Sequence, residues 1–434
     1  MEEAFIVQKK YDKRRRIYRK ILIITSVLAL ILIGAMTIND YKNRLPDELN
    51  LRAGSEEEFD FNLPASAEII VAQTVSSIGE SNVPQGSLHL NFAEPFTIKS
   101  GASGSYLADV KLFGLFSLKE IAIGVRETVE VIPCGTQVGI YLETDGLLVL
   151  GTAGIADGQG IVTEPCLNKL YSGDYILAVN GVETPRKEVL IEEIEKSGGK
   201  TINLLVRREE KELTVSVTPV KSADGSIKIG AWIRDDTQGI GTLTYVSQDG
   251  SFGALGHGIT DVDTGLLMDI GGGDIYEAEI IGITKGKKGS PGELSGIVRM
   301  SESGRMGKIT ANTGQGIFGE VTDTVEANFT GSGSGMFAGL NDAGYGAIPI
   351  AFKQEIELGS AVILSAIEGT VREYEVEIEG VNLASKSASK GLVVQITDER
   401  LLALTGGIVQ GMSGSPILQD GKLIGAVTHV CVNL

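Results

Sequence analysis

The sequence predicts a mainly β protein that one N-terminal helix anchors in a membrane. Three observations support this prediction: 57 glycines against only 11 prolines in 434 residues, an uncharged apolar stretch near the N-terminus, and many short apolar runs after it. High glycine with little proline suits strands that are joined by tight turns and bulges. The length allows about three domains, and apolar residues make up 42% of the chain, which is enough for sizeable cores.

The charge balance argues against a nucleic-acid partner. The net charge is −18, and the first 20 residues hold eight basic and three acidic side chains, so the remainder carries 30 basic against 53 acidic ones. A surface that binds phosphate backbones needs the opposite excess. The three cysteines and three histidines are too few and too scattered for a disulfide framework or a His/Cys metal site, so we expect no metal and no cofactor.

Residues 21–38 form an uncharged apolar segment of 18 residues. As a helix that rises about 1.5 Å per residue, this segment is just long enough to cross the hydrocarbon core of a bilayer. The basic tail over residues 1–20 is expected in the cytoplasm, with the rest of the chain across the membrane. We predict an uncleaved signal anchor, with a cleaved signal as the alternative. Residues 39–60 are polar and acidic, which favours a linker.

Two units are expected after this linker. Residues 61–131 alternate short apolar runs with Gly, Ser and Asn, which favours a small β domain. Residues 132–220 combine a hairpin turn at Asn180-Gly181, a helix within residues 185–199, and a half-buried hairpin over residues 202–217.

The order of these elements, with GDYILAVNG leading into the turn, resembles a PDZ domain of the type found in bacterial protease systems. Such domains bind an extended peptide by strand addition. The resemblance implies a peptide-binding loop made of Gly139, Ile140, Tyr141 and Leu142. The alternative is a small β domain without a ligand.

Residues 225–434 contain many short apolar runs that Gly, Asp and Asn separate, which favours an antiparallel barrel or sandwich. Within this region, GMSGSP at residues 411–416 resembles the nucleophile loop of chymotrypsin-like serine peptidases. Glycines at 411 and 414 allow a tight turn that exposes the Ser413 hydroxyl. The backbone N–H groups of Gly411 and Ser413 would form the oxyanion hole, each worth roughly 3–4 kcal/mol. A plain Gly/Ser turn is the alternative.

A serine nucleophile needs a base, because its hydroxyl is too weak an acid alone. His257 lies between two glycines at the end of an apolar run, so its imidazole is uncrowded, and we predict it as the general base. His429 follows Ser413 by only 16 residues and is expected to line the substrate cleft, while His89 lies outside the barrel region. A buried structural role for His257 is the alternative.

The acid that orients the imidazole is the least constrained member of the site. Asp398 gives the chain order His, Asp, Ser that chymotrypsin-like enzymes have. It follows His257 by 141 residues and precedes Ser413 by 15, whereas such enzymes place the acid nearer the histidine. Asp261 and Asp263, directly after His257, therefore stay open as alternatives.

Four motifs extend the resemblance over nearly the whole chain. They are GHGITD at 256–261, SPGELSG at 290–296, NTGQGIFG at 312–319 and GMSGSPI at 411–417. Together with the anchor and the PDZ-like segment, they resemble the stage IV sporulation protein B peptidases of endospore-forming bacteria.

This resemblance implies a chymotrypsin-like double β-barrel over residues 225–434 with His257, Asp398 and Ser413 as its catalytic triad. It also implies export from the forespore into the space between the two spore membranes. There, members cleave themselves and a regulator of an intramembrane protease, which leads to processing of pro-sigma-K. Relatives continue beyond the HVCVN stretch, so we expect a last strand beyond Leu434.

The sequence therefore predicts a membrane-anchored serine endopeptidase whose PDZ domain binds peptide or substrate segments. Two alternatives remain: a non-catalytic PDZ scaffold with a degenerate peptidase domain, and a membrane-tethered β domain without a peptide ligand.

Overall fold

The computed structural model describes residues 2–71, 88–100, 103–322, 344–382 and 391–430. Contacts divide the chain into two compact units, one made chiefly of Met1–Thr128 and the other of most of the chain from Val129 onward. The chain is mainly β and has an apolar helix at its N-terminus, as the sequence predicts.

The first unit begins with one long helix, α1 (Glu2–Arg44). Its part from Tyr18 to Arg44 is long and apolar enough to cross a membrane, with a mean hydropathy of 2.7 over its most apolar window. No part of that window is buried in the protein. These properties are consistent with the predicted anchor over residues 21–38.

Seven strands make up the rest of the described first unit. They are β1 (Glu48–Arg52), β2 (Glu56–Phe59), β3 (Ala65–Val71), β4 (Leu88–Asn91), β5 (Phe96–Lys99), β6 (Gly104–Leu112) and β7 (Phe116–Arg126). Five of them form a sheet in the order β1-β7-β6-β3-β4, with β1 parallel to β7, while β2 pairs with β5. Leu49, Leu51 and Phe59 lie in the core of this unit. Residues 48–59 are thus part of the fold rather than of the linker predicted over 39–60. The prediction was wrong because charged neighbours mask the short apolar alternation in ELNLR.

The second unit opens with the segment that we predicted as PDZ-like. Its elements are β8 (Glu130–Pro133), β9 (Gln137–Thr152), β10 (Ile155–Ala156), β11 (Val162–Thr163), β12 (Tyr175–Val179), β13 (Val182–Glu183), α2 (Lys187–Lys196), β14 (Ile202–Arg208), β15 (Lys211–Val217), β16 (Val220–Lys221) and β17 (Ile227–Lys228). The predicted turn joins β12 to β13, with φ of 50° at Asn180 and 84° at Gly181. The predicted helix and hairpin are confirmed as α2 and as β14 with β15. Leu190 and Ile194 of α2 pack in a core with residues from these strands.

A closed ring of strands follows. The next six strands are β18 (Ala231–Ser247), β19 (Ser251–Ala254), β20 (Ile270–Thr284), β21 (Gly292–Val298), β22 (Arg305–Thr313) and β23 (Gly316–Val321). The ring runs β9-β18-β19-β23-β22-β20 and closes by pairing β20 with β9, while β21 pairs outside it with β20. Inside lie buried side chains such as Ile140, Leu243 and Ile275.

The remaining described elements include a separate sheet of five strands. They are β24 (Ile348–Pro349), β25 (Gly359–Ser365), β26 (Arg372–Val381), β27 (Leu392–Ile396), α3 (Glu399–Thr405), β28 (Val409–Gln410), β29 (Pro416–Gln419) and β30 (Lys422–Ala426), with 3₁₀ turns at Glu302–Gly304 and Lys353–Glu355. Five strands lie in the order β27-β26-β25-β29-β30, and β28 runs parallel to β21. This sheet does not close into a ring over the described residues, so the expected double barrel is not confirmed.

Two long strands link the barrel to the PDZ-like part. The first half of β9 lies in the ring, and its second half pairs with β12 through Leu147 and Leu148. Likewise β18 pairs with the second half of β9 from Ala231 to Arg234 and with the first half further on. The PDZ-like elements are therefore inserted between two neighbouring strands of one barrel.

Candidate active site

Ser413 lies in the tight turn between β28 and β29 and is half-buried. The two glycines of this turn have positive φ, 98° at Gly411 and 97° at Gly414. A Cβ atom on residue 414 would lie 2.1 Å from the carbonyl oxygen of Thr242. Both the backbone conformation and the close approach of β18 therefore require glycine at 414.

Barrel strand β18 holds the carbonyl groups of this turn. Thr242 donates its hydroxyl to the Gly411 carbonyl at 2.9 Å and its backbone N–H to the Ser413 carbonyl at 2.9 Å. Thr244 donates its hydroxyl to the Gly414 carbonyl at 2.7 Å. No acceptor among the described residues takes the N–H of Ser413. An unpaired backbone donor beside the serine hydroxyl is what an oxyanion hole requires; Gly411, the other predicted donor, starts the same turn.

His257 approaches Ser413 from the end of β19. Leu255 donates its N–H to the carbonyl of Thr242, and a Cβ on Gly256 would lie 2.9 Å from Cγ2 of Thr428. Ser413 in turn donates its hydroxyl to the carbonyl of Thr428 at 3.3 Å. The structure thus brings the segments of His257 and Ser413 to the same residue, although 156 positions separate them in the sequence.

The imidazole of His257 is held by the backbone carbonyl of the next residue, Gly258. Its Nδ1 lies 2.9 Å from the carbonyl oxygen of Gly258. Because a carbonyl can only accept, Nδ1 carries the proton in this arrangement and Nε2 is left as an acceptor, the form that a general base needs. The exposed ring of His429 lies beside it, 5.6 Å away between centroids.

Two further side chains fix the loop that follows His257. Asn312 accepts the N–H of Ile259 at 2.8 Å and donates to the carbonyls of Ile259 and Met268 at 2.9 Å each. Arg234 of β18 forms ion pairs with the buried Asp261 and with Asp263. Neither Asn312 nor Arg234 was among the predicted site residues; the signal for Asn312 was its place at the head of the NTGQGIFG motif.

The predicted acids contact other groups. Asp398 caps the N-terminus of α3, where its carboxylate accepts the N–H of Leu401 at 2.8 Å and that of Glu375 at 3.4 Å. Asp261 accepts the N–H groups of Asp263 and Thr264 besides its ion pair. None of these hydrogen bonds involves His257, so the choice of acid stays a prediction.

The residues predicted as a peptide-binding loop are not in a loop. Gly139, Ile140, Tyr141 and Leu142 lie in the middle of β9, with β18 paired along one edge and β20 along the other. No edge remains there for an added peptide strand, which corrects the prediction. Gly139 looked like a loop glycine, but a Cβ there would lie 2.1 Å from Cγ1 of Val298, so it serves close packing.

Other candidate chemistry lies away from this site or is absent from the described ranges. Burial raises the pKa of the Cys134 thiol to about 12 and that of Cys166 to about 11, so both stay protonated at neutral pH. Cys431 lies outside the described residues. Among the residues that the structure covers, no three His, Cys, Asp or Glu side chains are grouped to hold a metal ion.

Comparison with known protein families identifies the C-terminal region. A family model described as SpoIVB peptidase S55 matches residues 225–434. Residues 225–434 belong to the SpoIVB peptidase S55 family. This S55 segment contains Ser413, His257 and Asp398, together with every ring strand except β9.

Two further similarities cover small parts of the chain. A Lactococcus lactis subsp. lactis protein, named as a zinc metalloprotease, is 46% identical over 76 residues. That match spans 17% of this chain and 18% of the curated relative. The PDZ domain of the SdrC-like protein from Listeria monocytogenes is 20% identical and covers 20% of this chain and 87% of that domain, with a TM-score of 0.17.

Proposed function

We propose that the chain is a membrane-anchored serine endopeptidase with Ser413 as nucleophile and His257 as general base. The observation that supports this most directly is the meeting of the two segments at Thr428, next to the N–H of Ser413, which no described residue accepts. A nucleophile, a base and an oxyanion donor are the three parts that acyl transfer by serine needs.

In the proposed reaction, the Ser413 hydroxyl turns from the Thr428 carbonyl to Nε2 of His257, which takes its proton as the oxygen attacks the peptide carbonyl. The N–H groups of Ser413 and Gly411 stabilise the negative charge that develops on the carbonyl oxygen. The imidazolium then gives its proton to the leaving amine, and water hydrolyses the acyl-enzyme in a second cycle.

The finer functional assignments come from the family resemblance. We propose Asp398 as the triad acid, the chain itself and a regulator of an intramembrane protease as substrates, and pro-sigma-K processing as the downstream effect. We also propose α1 as the anchor, with the catalytic part exported to the forespore intermembrane space. The PDZ-like elements α2 and β12–β15 are proposed to bind peptide, at a place other than Gly139–Leu142.

A fluorophosphonate probe tests the central proposal, because it labels an activated serine. Ser413→Ala and His257→Ala should each lower peptidase activity by about 10⁴–10⁶ and abolish labelling. Ser415→Ala is the matched control in the same turn: its buried hydroxyl has no hydrogen-bond partner among the described residues, so its removal should leave labelling intact. Labelling that survives Ser413→Ala would refute the nucleophile, and a folded wild-type protein that is never labelled would favour the scaffold alternative.

A further inference from the structure

The first unit carries an apolar hairpin tip that its own core does not use. The tip consists of residues 113–116, between β6 and β7. Phe113, Leu115 and Phe116 are 66%, 78% and 67% exposed, whereas the preceding Leu112 is buried. Three large apolar side chains side by side on one turn form the kind of exposed patch that marks an interaction surface.

The backbone conformation of the tip does not require apolar side chains. Phe113 and Gly114 have φ of 52° and 69°, so both adopt the left-handed conformation at the two central positions of the turn that the Leu115 N–H closes on the Leu112 carbonyl. Asn-Gly normally fills such turns, and a bulky side chain at the first position is disfavoured. The second unit uses Asn180-Gly181 in the same conformation, with φ of 50° and 84°. Phe113 therefore occupies a position where Asn would fold more easily, which indicates a role outside the fold.

The register of the sheet places the tip at the end where α1 enters. Parallel pairing sets Glu48 of β1 opposite Ala122 of β7, and the same offset sets Leu45 opposite Lys119. Lys119 donates its Nζ to the carbonyl of Leu45 at 2.5 Å and to that of Lys42, in the last turn of α1, at 3.4 Å. Since β7 begins three residues before Lys119, the tip extends beyond this level on the side of the helix.

The tip is long enough to reach the bilayer that α1 would span. Phe116 lies about 10 Å of strand before Lys119, and the apolar segment ends at Ile38, about 9 Å of helix before Arg44. Tyr41 and Leu45 pack against the core of the first unit, which fixes the end of α1 against the sheet. The exposed tip and the end of the apolar segment therefore lie at similar distances, about 10 Å and 9 Å along their own elements, from the place where α1 meets the sheet.

We propose that residues 113–116 insert into the interface of the same bilayer that α1 spans, so that the first unit has a second membrane contact. This inference rests on the proposed anchoring by α1. Lipid is the occupant that the structure favours, because the patch is apolar and lies at the sheet end from which the membrane helix emerges. The contact would fix the orientation of the first unit at the membrane surface, whereas α1 alone would let the unit rotate.

Depth-dependent quenching in vesicles tests the insertion. Leu115→Cys in the full chain, with Cys431→Ser, is labelled with an environment-sensitive fluorophore. It is reconstituted in phosphatidylethanolamine–phosphatidylglycerol vesicles that contain lipids spin-labelled either near the headgroup or deep in the acyl chain. Cys134 and Cys166 are buried and do not compete for the label. Glu127→Cys, exposed just past the opposite end of β7, is the matched negative control, and Ile31→Cys in α1 is the positive one.

We expect several-fold stronger quenching at position 115 than at position 127, and quenching at position 31 by lipids labelled deep in the chain. If position 31 is quenched and position 115 is not, the tip does not insert, while the anchor stands. Protection of position 115 from both lipid and aqueous quenchers would instead indicate a protein partner and would also overturn the proposal. If position 31 itself escapes quenching, the anchor is wrong and the inference falls with it.

Discussion

Thr242 donates its backbone N–H to the carbonyl of Ser413 and its hydroxyl to the carbonyl of Gly411, each over 2.9 Å. A single barrel residue thus orients two peptide groups of the turn that carries the proposed nucleophile. The peptide group between these two carries the N–H of Ser413, for which the described residues supply no acceptor. The turn that carries the two proposed oxyanion donors is therefore held by a strand that is distant in sequence.

Thr242→Val keeps the shape of the side chain and removes the hydroxyl that bonds Gly411. We expect kcat to fall about 10-fold with KM little changed, since one hydrogen bond is worth about 1 kcal/mol and its loss loosens the turn. Thr237→Val, on the same strand but without a side-chain bond in the described structure, is the control. Equal kcat values for the two variants would contradict a positioning role for Thr242.

Asn312→Ala removes all three hydrogen bonds between β22 and the loop after His257. We expect a loss of about 1–3 kcal/mol in the free energy of unfolding, because the N–H of Ile259 is left without its partner. We also expect a fall in kcat, as the loop that orients the imidazole loosens. Thermal unfolding and peptidase assays on the same preparation measure both; unchanged activity would show that Asn312 does not position His257.

Asp398→Asn tests the proposed acid without removing the helix cap, because Asn and Asp cap helices about equally well. We expect the rate to fall by roughly 10⁴, as in enzymes whose histidine takes the wrong tautomer, with little change in melting temperature. Asp261→Asn should act mainly on stability, since Asp261 is buried against Arg234. The reverse order of damage to the rate would show that the acid has been misassigned.

The matched S55 segment should not fold by itself, because β9 completes its barrel from outside. We expect a fragment over residues 225–434 to lack a cooperative thermal transition, whereas one over 129–434 should unfold cooperatively. Near-ultraviolet circular dichroism on both fragments measures this difference. A cooperative transition in the shorter fragment would show that the ring closes without Gln137–Thr144.

Acid should weaken the contact between α2 and β18. Burial raises the pKa of Asp235, but its hydrogen bonds and ion pair with Lys187 outweigh burial and leave the pKa below its usual value. A carboxyl with a lowered folded pKa stabilises the protein above its unfolded value of about 3.9, and that stability is lost as the pH falls through the folded pKa. Asp235→Asn should therefore reduce the melting temperature at neutral pH and less so in acid. An equal reduction at both would mean that the charge of Asp235 does not contribute.

Several elements of the second unit could be predicted because their conformation depends on residues that are close together in the sequence. Asn180-Gly181 has the conformation that a two-residue turn demands, and the apolar spacing of α2 fits one buried helix face. The helix α3 was missed even though Asp398 caps its start and Gly406, at φ 72°, ends it. Its seven residues are too few to show a clear apolar period.

The sequence by itself determined the mainly β class, the apolar N-terminal helix and the turn around Ser413, because hydropathy and glycine patterns act over a few residues. Tertiary structure decided that Gly139–Leu142 form a central strand, that Thr242 bonds the turn around Ser413, and that Asp398 caps a helix. The first two outcomes depend on pairings between residues more than a hundred positions apart, such as Ile140 with Ile275 or Thr242 with Ser413. Local preference does not specify such partners; they follow from which arrangement of strands buries the apolar faces and satisfies the backbone hydrogen bonds together.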